Sequence, residues 1–350
     1  MTSEEIRVGL AGFGYAGRTF HAPVIQAVPG LLLAAIVQRS GDSARAAYPN
    51  ARVVSSVDEL LSDPKIRLVV IATPNDSHYD LARQCLEAGR DVVVDKPFTT
   101  TFEEAKALDE LARGKQRLLS VFHNRRWDGD FLTVRDLIGS GALGRLVLFE
   151  SHFDRYRPAR RPGAWRETTR AGSGVLFDLG PHLIDQALVL FGMPQAIEAD
   201  VRIEREDAIV DDAFDIVLRY PNLRVLLRAT MLACAAGPRF VLNGAAGTFV
   251  KRGLDPQEDA LKAGKTPGGP GWGEEDQSHW GALTLAEDSA PIQRSVRTEP
   301  GDYREYYANV RDSILGISKL DVTAADGARV IRLLQLARES SASGRVISLT

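Results

Sequence analysis

Five short apolar runs fill the first third of the chain, and helical patterns separate them. They are IRVGLAG (6–12), LLLAAIV (31–37), IRLVVIAT (66–73), RDVVVDKP (90–97) and QRLLSVFHN (116–124). Between them GRTFHAPVIQAV, VDELLSDP, SHYDLARQCLEAG and TFEEAKALDELARG carry helical spacing. Strands that read as continuous β-branched runs, with no polar alternation, are buried on both faces. In an α/β alternation that means a parallel sheet covered by helices.

After about residue 123 the pattern changes. GDFLTVRDLIGSG reads as a helix, RLVLFESHFDRYRP (145–158) is long and partly alternating, and SGVLFDLGPHLIDQALVLFG (173–192) reads as one buried helix ended by Gly192 and Pro194. AIEADVRIERE, AFDIVLRYPNLRVLLRATML, RFVLNGAAGTFV and the closing RVISL are strand-like with polar alternation, and RYPN suits a hairpin turn. A large, mostly antiparallel open sheet with helices on one face is expected. The Gly- and Pro-rich stretch 253–278 is the best loop candidate. At 350 residues two domains are expected, 1–122 and 123–350.

Composition narrows the partners. A net charge of −3 gives no electrostatic reason to expect nucleic acid or an anionic membrane. The two cysteines, Cys85 and Cys234, form no disulfide framework, and no His, Cys, Asp and Glu combination has metal-ligand spacing. The acidic start MTSEEIRVGLAG lacks the basic stretch and apolar core of a signal peptide, and no window approaches a membrane span, so a cytoplasmic protein is expected.

GLAGFGYAGRTFHAP (9–23) places Gly12, Gly14 and Gly17 directly after the first apolar run and at the start of a helix. Glycine-rich turns are common, but this context is that of a dinucleotide-binding (Rossmann) domain. Gly12 would allow the tight turn, Gly14 the close approach of a pyrophosphate, and Gly17 close helix packing. Helix N-terminal amides would hold the anion. Phe13, Tyr15 and Ala16 lie between these glycines. At the end of the second strand, where an NAD protein usually carries an acid, stand Gln38, Arg39 and Ser40. A neutral side chain beside an arginine and a hydroxyl suits a 2′-phosphate, which favours NADP over NAD. Arg39 as a solvated loop charge, with Asp42 reaching the ribose, is the alternative.

VVVDKPF (92–98) puts Lys96 just after the fourth of these strands, and the Asp95-Lys96-Pro97 triplet resembles the Glu/Asp-Lys-Pro signature of the Gfo/Idh/MocA oxidoreductases. ATPNDSHYDLA (72–82), with Thr73, Pro74, Asn75 and His78, resembles that family's segment after the third strand. GSGVLFDLGPHLIDQAL resembles its catalytic helix, and GFGYAGRTFHAP with VFHNRRWDGDFLT resembles the branch holding NADP-dependent scyllo-inositol dehydrogenases. The resemblance covers nearly the whole chain; Asp95 in place of glutamate is a common variation.

Asp178 and His182 are four residues apart, on one face of a helix otherwise rich in Leu, Val and Phe. A mutually satisfied core pair is the alternative to a functional one. The resemblance implies that His182 is the general base and that Asp178 positions the substrate hydroxyl or the imidazole. It also implies that Lys96 hydrogen-bonds the reacting oxygen, in a cleft between domains. His78 is expected to brace the nicotinamide pocket. His123, Asn124 and Arg125 are candidates for the substrate pocket, as are Trp165 and Arg166 on a polar loop; His21 reads equally well as a packing residue. The implied activity is hydride transfer between a nicotinamide cofactor and a sugar, inositol or related polyol, by a homodimer or homotetramer built through the second sheet. An NAD-dependent glycosidase and a non-catalytic nucleotide-binding regulator of the same fold are the alternatives.

Overall fold

In the computed structural model the described residues are 5–161, 163–287 and 290–349. The acidic lead-in read at residues 1–4, and Pro162 of the RRPGAWRE stretch, lie outside them. The chain divides into two compact units. One comprises the described residues up to Asn124, with Gln257–Trp272 and Asp302–Ile331. The other comprises Arg125–Pro256, Gly273–Gly301 and the described residues from Arg332 onward.

The first unit holds β1 (Ile6–Ala11), β2 (Leu31–Val37), β3 (Arg52–Val54), β4 (Leu68–Ile71), β5 (Asp91–Val94) and β6 (Leu119–Val121). All pairs are parallel, in the order β3-β2-β1-β4-β5-β6. Every residue of β4 and β5 is buried, as both-face coverage requires. All five expected runs are strands. The sixth, β3, went unread because it has three residues, sits at the sheet edge and buries one of them. Its order reverses between β1 and β4, the place where open α/β sheets take ligands beyond their carboxyl ends.

The stretch GRTFHAPVIQAV is helical in two parts, a π-helical turn Gly17–His21 and an α-helix Ala22–Gln26. Pro23 explains the wider turn: it has no N–H for the carbonyl four residues back, and its ring crowds that oxygen. The helix Phe102–Gly114 starts on a capping box, with Thr101 Oγ accepting from Glu104 N and Glu104 accepting from Thr101 N. The helix Arg304–Ile314 returns from far along the chain to this unit.

The second unit holds β7 (Leu146–Asp154), β8 (Ala196–Arg202), β9 (Ala213–Arg219), β10 (Arg224–Thr230), β11 (Phe240–Gly244), β12 (Gly247–Lys251), β13 (Gly281–Leu285), β14 (Ile292–Val296) and β15 (Ile347–Ser348). They form one sheet, β14-β13-β12-β11-β7-β10-β9-β8-β15, in which β7 and β10 are parallel and the other pairs antiparallel. RYPN lies in the β9–β10 hairpin, where Tyr220 N donates to Leu223 O at 3.0 Å. β13 and β14 were not read as strands, and β14 has no buried residue to give it a pattern. The loop expected at 253–278 contains a helix, Gln257–Lys262, which belongs to the first unit; its first turn is acidic and its last turn carries Lys262. Glu275 of the same stretch is buried, 2.9 Å from the buried Lys251 of β12.

One face of this sheet packs on the helix Val175–Phe191, with the Phe149 and Phe191 rings 5.2 Å apart. The pairing register sets Val217, Leu226, Glu150, Val241 and Val250 in one row on the other face. That face is mixed rather than uniformly apolar: Asp215, Arg228 and His152 form the neighbouring row. No helix among the described residues is long and apolar enough to cross a membrane.

Candidate active site

In the first unit the expected residues gather at one sheet edge, because the parallel ladder runs on past the strand ends. Ala72 N donates to Ala11 O, Asp95 N to Ile71 O and Phe122 N to Val94 O, each at 2.8–2.9 Å. The chain therefore leaves β1 at Gly12, β4 at Ala72–Asn75, β5 at Asp95–Lys96 and β6 at Phe122–Asn124, all on the carboxyl side.

The glycine loop has the shape of an anion cradle. Gly12 sits at φ 104°, where L side chains are strained, and a Cβ there would meet Ala72 O at 2.6 Å. A Cβ on Gly17 would lie 2.1 Å from Gly12 O, so the helix approaches the strand as closely as glycine alone permits. A Cβ on Gly14 would meet nothing within 4 Å. That open side of the loop could hold a pyrophosphate. Phe13 is buried with its ring edge-on to Tyr48 at 5.8 Å, and Tyr15 is exposed against Phe20. Ala16 is the first residue before the π-helical turn.

At the end of β2 the side chain of Gln38 is turned onto its own loop. Its amide donates to Ser40 O (2.8 Å) and Ser43 Oγ (3.0 Å) and accepts from Ala44 N (2.8 Å). Arg39 and Ser40 are exposed beside it, and Asp42 lies 3.9 Å from Arg45.

After β4, Thr73 Oγ1 and Ser77 Oγ are 2.7 Å apart, and Asn75 is buried in the short 3₁₀ turn Asn75–Ser77. His78 is fully buried, with Nδ1 2.9 Å from Pro97 O and Nε2 2.9 Å from Thr73 O. It thus joins the loop after β4 to the turn carrying Lys96. Burial lowers its pKa below 6.5, although Asp95 and the two carbonyls pull the other way. Asp95 Oδ1 accepts Lys96 N at 2.7 Å. Burial alone would raise the Asp95 pKa, but His21, Lys96 and His78 outweigh it and hold the carboxyl at about 2. His123 and Asn124 are buried after β6.

In the second unit Asp178 and His182 share a face of the helix Val175–Phe191. Asp211 starts this helix: its backbone oxygen accepts Val175 N at 2.8 Å and its carboxylate accepts Leu176 N at 2.7 Å. Gly174 precedes it at φ 90°, and a Cβ there would strike the Asp211 carboxylate at 2.2 Å. Arg166 Nε lies 3.3 Å from Asp178 Oδ1 and its guanidinium covers the Trp165 ring at 4.8 Å, so Trp165, Arg166 and Asp178 come together. Arg155 Nη1, which sequence reasoning missed, is 3.8 Å from Asp178 Oδ2. Locally it is one more charge just past the end of β7, with no signal of its own. His182 is buried, its ring 6.2 Å from that of Phe153. Arg125 is also buried, 3.1 Å from Asp128 and with its guanidinium 5.1 Å from the Phe153 ring. No group of three or more His, Cys, Asp or Glu among the described residues could hold a metal ion.

Comparison with known proteins follows these two halves. Residues 6–123 match the family model described as "Oxidoreductase family, NAD-binding Rossmann fold", and residues 135–349 match "Oxidoreductase family, C-terminal alpha/beta domain". The chain is 47% identical to the oxidoreductase YdgJ of Escherichia coli K12, over 97% of each chain. It is 39% identical to the scyllo-inositol 2-dehydrogenase (NADP(+)) IolW of Bacillus subtilis, over 99% of this chain and 96% of that one. The solved structure of the oxidoreductase yvaA from Bacillus subtilis superposes over 100% of both chains, with a TM-score of 0.97 and 38% identity.

His78 makes stability pH-dependent. Its pKa is depressed in the folded chain, so below pH 6.5 the unfolded chain takes up a proton that the folded chain resists. Its contribution is whole above that pH and is lost as pH falls. The urea midpoint should therefore drop more between about pH 7 and pH 5 in the wild type than in His78→Gln. Equal drops would contradict a lowered His78 pKa.

Proposed function

Because the chain belongs to the Gfo/Idh/MocA oxidoreductase family, we propose that it moves a hydride between NADP and a sugar, inositol or related polyol. One observation carries the reading: the Gly12–Gly17 cradle and Lys96 open at the same carboxyl edge of one parallel sheet. The nicotinamide, when bound, supplies the hydride acceptor or donor. His182 takes the hydroxyl proton of the reacting carbon, with Asp178 orienting the hydroxyl or the imidazole. Lys96 hydrogen-bonds a substrate oxygen and stabilises the charge that develops on it. Asp178 lies between Arg155 and Arg166, at 3.8 and 3.3 Å. Trp165 and Arg166, gathered at Asp178, grip the polyol.

NADP is favoured over NAD by the end of β2. Gln38 is engaged with its own loop, which leaves the exposed Arg39 and Ser40 to meet a 2′-phosphate. The mixed sheet face around Val217, Leu226, Val241 and Val250 is proposed to pack on a second copy of the chain.

Three measurements test these readings. Arg39→Ala should raise the KM for NADP at least about tenfold more than that for NAD, as expected for loss of a charged phosphate contact. Equal changes would sink the NADP assignment. His182→Ala should lose about 10²- to 10⁴-fold in kcat while still binding NADP, and Lys96→Ala should behave likewise. The double variant should be less impaired than the product of the two, since both act at one proton transfer; near-normal turnover of His182→Ala would remove it as the base. Light scattering at micromolar concentration should return a dimer or tetramer, and a monomer would refute the sheet contact.

A further inference from the structure

A buried chain of polar atoms lies behind Lys96 that no part of the proposed reaction uses. His21, the last residue of the π-helical turn that follows the glycine loop, has no solvent exposure. Its Nδ1 is 2.6 Å from the hydroxyl of Tyr307, on the helix Arg304–Ile314. Its Nε2 is 3.7 Å from Asp95 Oδ2, long for a hydrogen bond but close enough for charge to be felt. The other oxygen of that carboxylate receives the backbone N–H of Lys96 at 2.7 Å.

The proton positions follow from the buried groups. Burial holds the Tyr307 pKa well above its ordinary value, so the hydroxyl keeps its proton. A buried hydroxyl donates where it can, and His21 Nδ1 is the acceptor at hydrogen-bond distance. In the tautomer that accepts from Tyr307, His21 carries its proton on Nε2, facing Asp95. The polarity then runs one way: Tyr307 O–H to Nδ1, Nε2–H toward Asp95 Oδ2, and Lys96 N–H to Asp95 Oδ1. The ring is clamped as well, 4.2 Å from Phe122, which is itself flanked by Tyr306 and Tyr307. His21 cannot turn away without breaking this cluster.

We infer that His21, with Tyr307 behind it, is a positioning residue for Lys96, tying the turn that bears the lysine to the helix that follows the glycine cradle. It acts through Asp95 and touches no substrate. Two helices far apart in sequence meet in this relay, and both hold one carboxylate in one orientation. The lysine backbone is fixed by that carboxylate and by the carbonyl of Pro97 next to it, which faces His78. The inference rests on the role proposed above for Lys96.

Backbone amide exchange in the full-length chain tests it without any turnover. In His21→Leu the Lys96 amide should exchange about tenfold or more faster, while Val93 and Val94 of the same strand keep their protection. His21→Gln should restore most of it, because its amide can accept from Tyr307 and donate toward Asp95. Tyr307→Phe should fall between, and the double variant should be no worse than His21→Leu alone. With a polyol that the wild type turns over, His21→Leu should lower kcat and leave the KM for NADP within about twofold. An unchanged Lys96 exchange rate would overturn the inference, as would equal acceleration across the whole strand or an unchanged kcat. If the wild type turns over no polyol, the functional reading fails by itself, and amide exchange alone decides the role of His21.

Discussion

The first unit depends on a contact that leaves no room for a methyl group. Gly17 packs so close to the carbonyl of Gly12 that a Cβ would overlap it, and this contact sets where the helix starts relative to β1. The neighbouring strands end at the same edge as this loop. A parallel sheet forces this convergence: with every strand pointing the same way, whatever follows β1, β4, β5 and β6 must emerge together. Chemistry-bearing side chains at residues 73–78, 95–96 and 123–124 are thus collected by topology rather than by local sequence.

The second unit solves a different problem. Its helix Val175–Phe191 is apolar enough to be buried, yet it carries Asp178 and His182 on one face. Asp211 anchors its first turn from a separate loop, with the carboxylate and the backbone oxygen each taking an amide. Burial raises the Asp211 pKa, against the pull of the Leu176 amide and of Arg338. Arg155 and Arg166 sit against Asp178 from outside the helix, which itself carries no Lys or Arg.

Much of this was legible in the chain. The β-branched runs of β1, β2, β4, β5 and β6 announce themselves because burial on both faces removes any need for alternation. The glycine loop is legible because each glycine answers a local backbone demand, and the four-residue spacing of Asp178 and His182 follows from helix geometry. What escaped lacks a local cause. β3 and β14 bury too little to leave a pattern, and the helix Gln257–Lys262 is hidden by the Gly- and Pro-rich stretch around it. Arg155 looked like one more charge at a strand end until the fold brought it to Asp178. His21 and Tyr307 are separated by 286 residues, and nothing near either one advertises the other.

Net reduction of the cofactor tests the central claim most directly, because it asks whether cradle and lysine serve hydride transfer. Purified protein is mixed with oxidised NADP or NAD and a panel of inositols, aldoses and their glycosides, while the near-ultraviolet absorbance of reduced nicotinamide is followed. The account predicts that at least one free polyol or sugar gives a steady rise in reduced cofactor, faster with NADP. Glycoside cleavage with no net rise, or tight cofactor binding with no turnover of any polyol or its keto form, would contradict it.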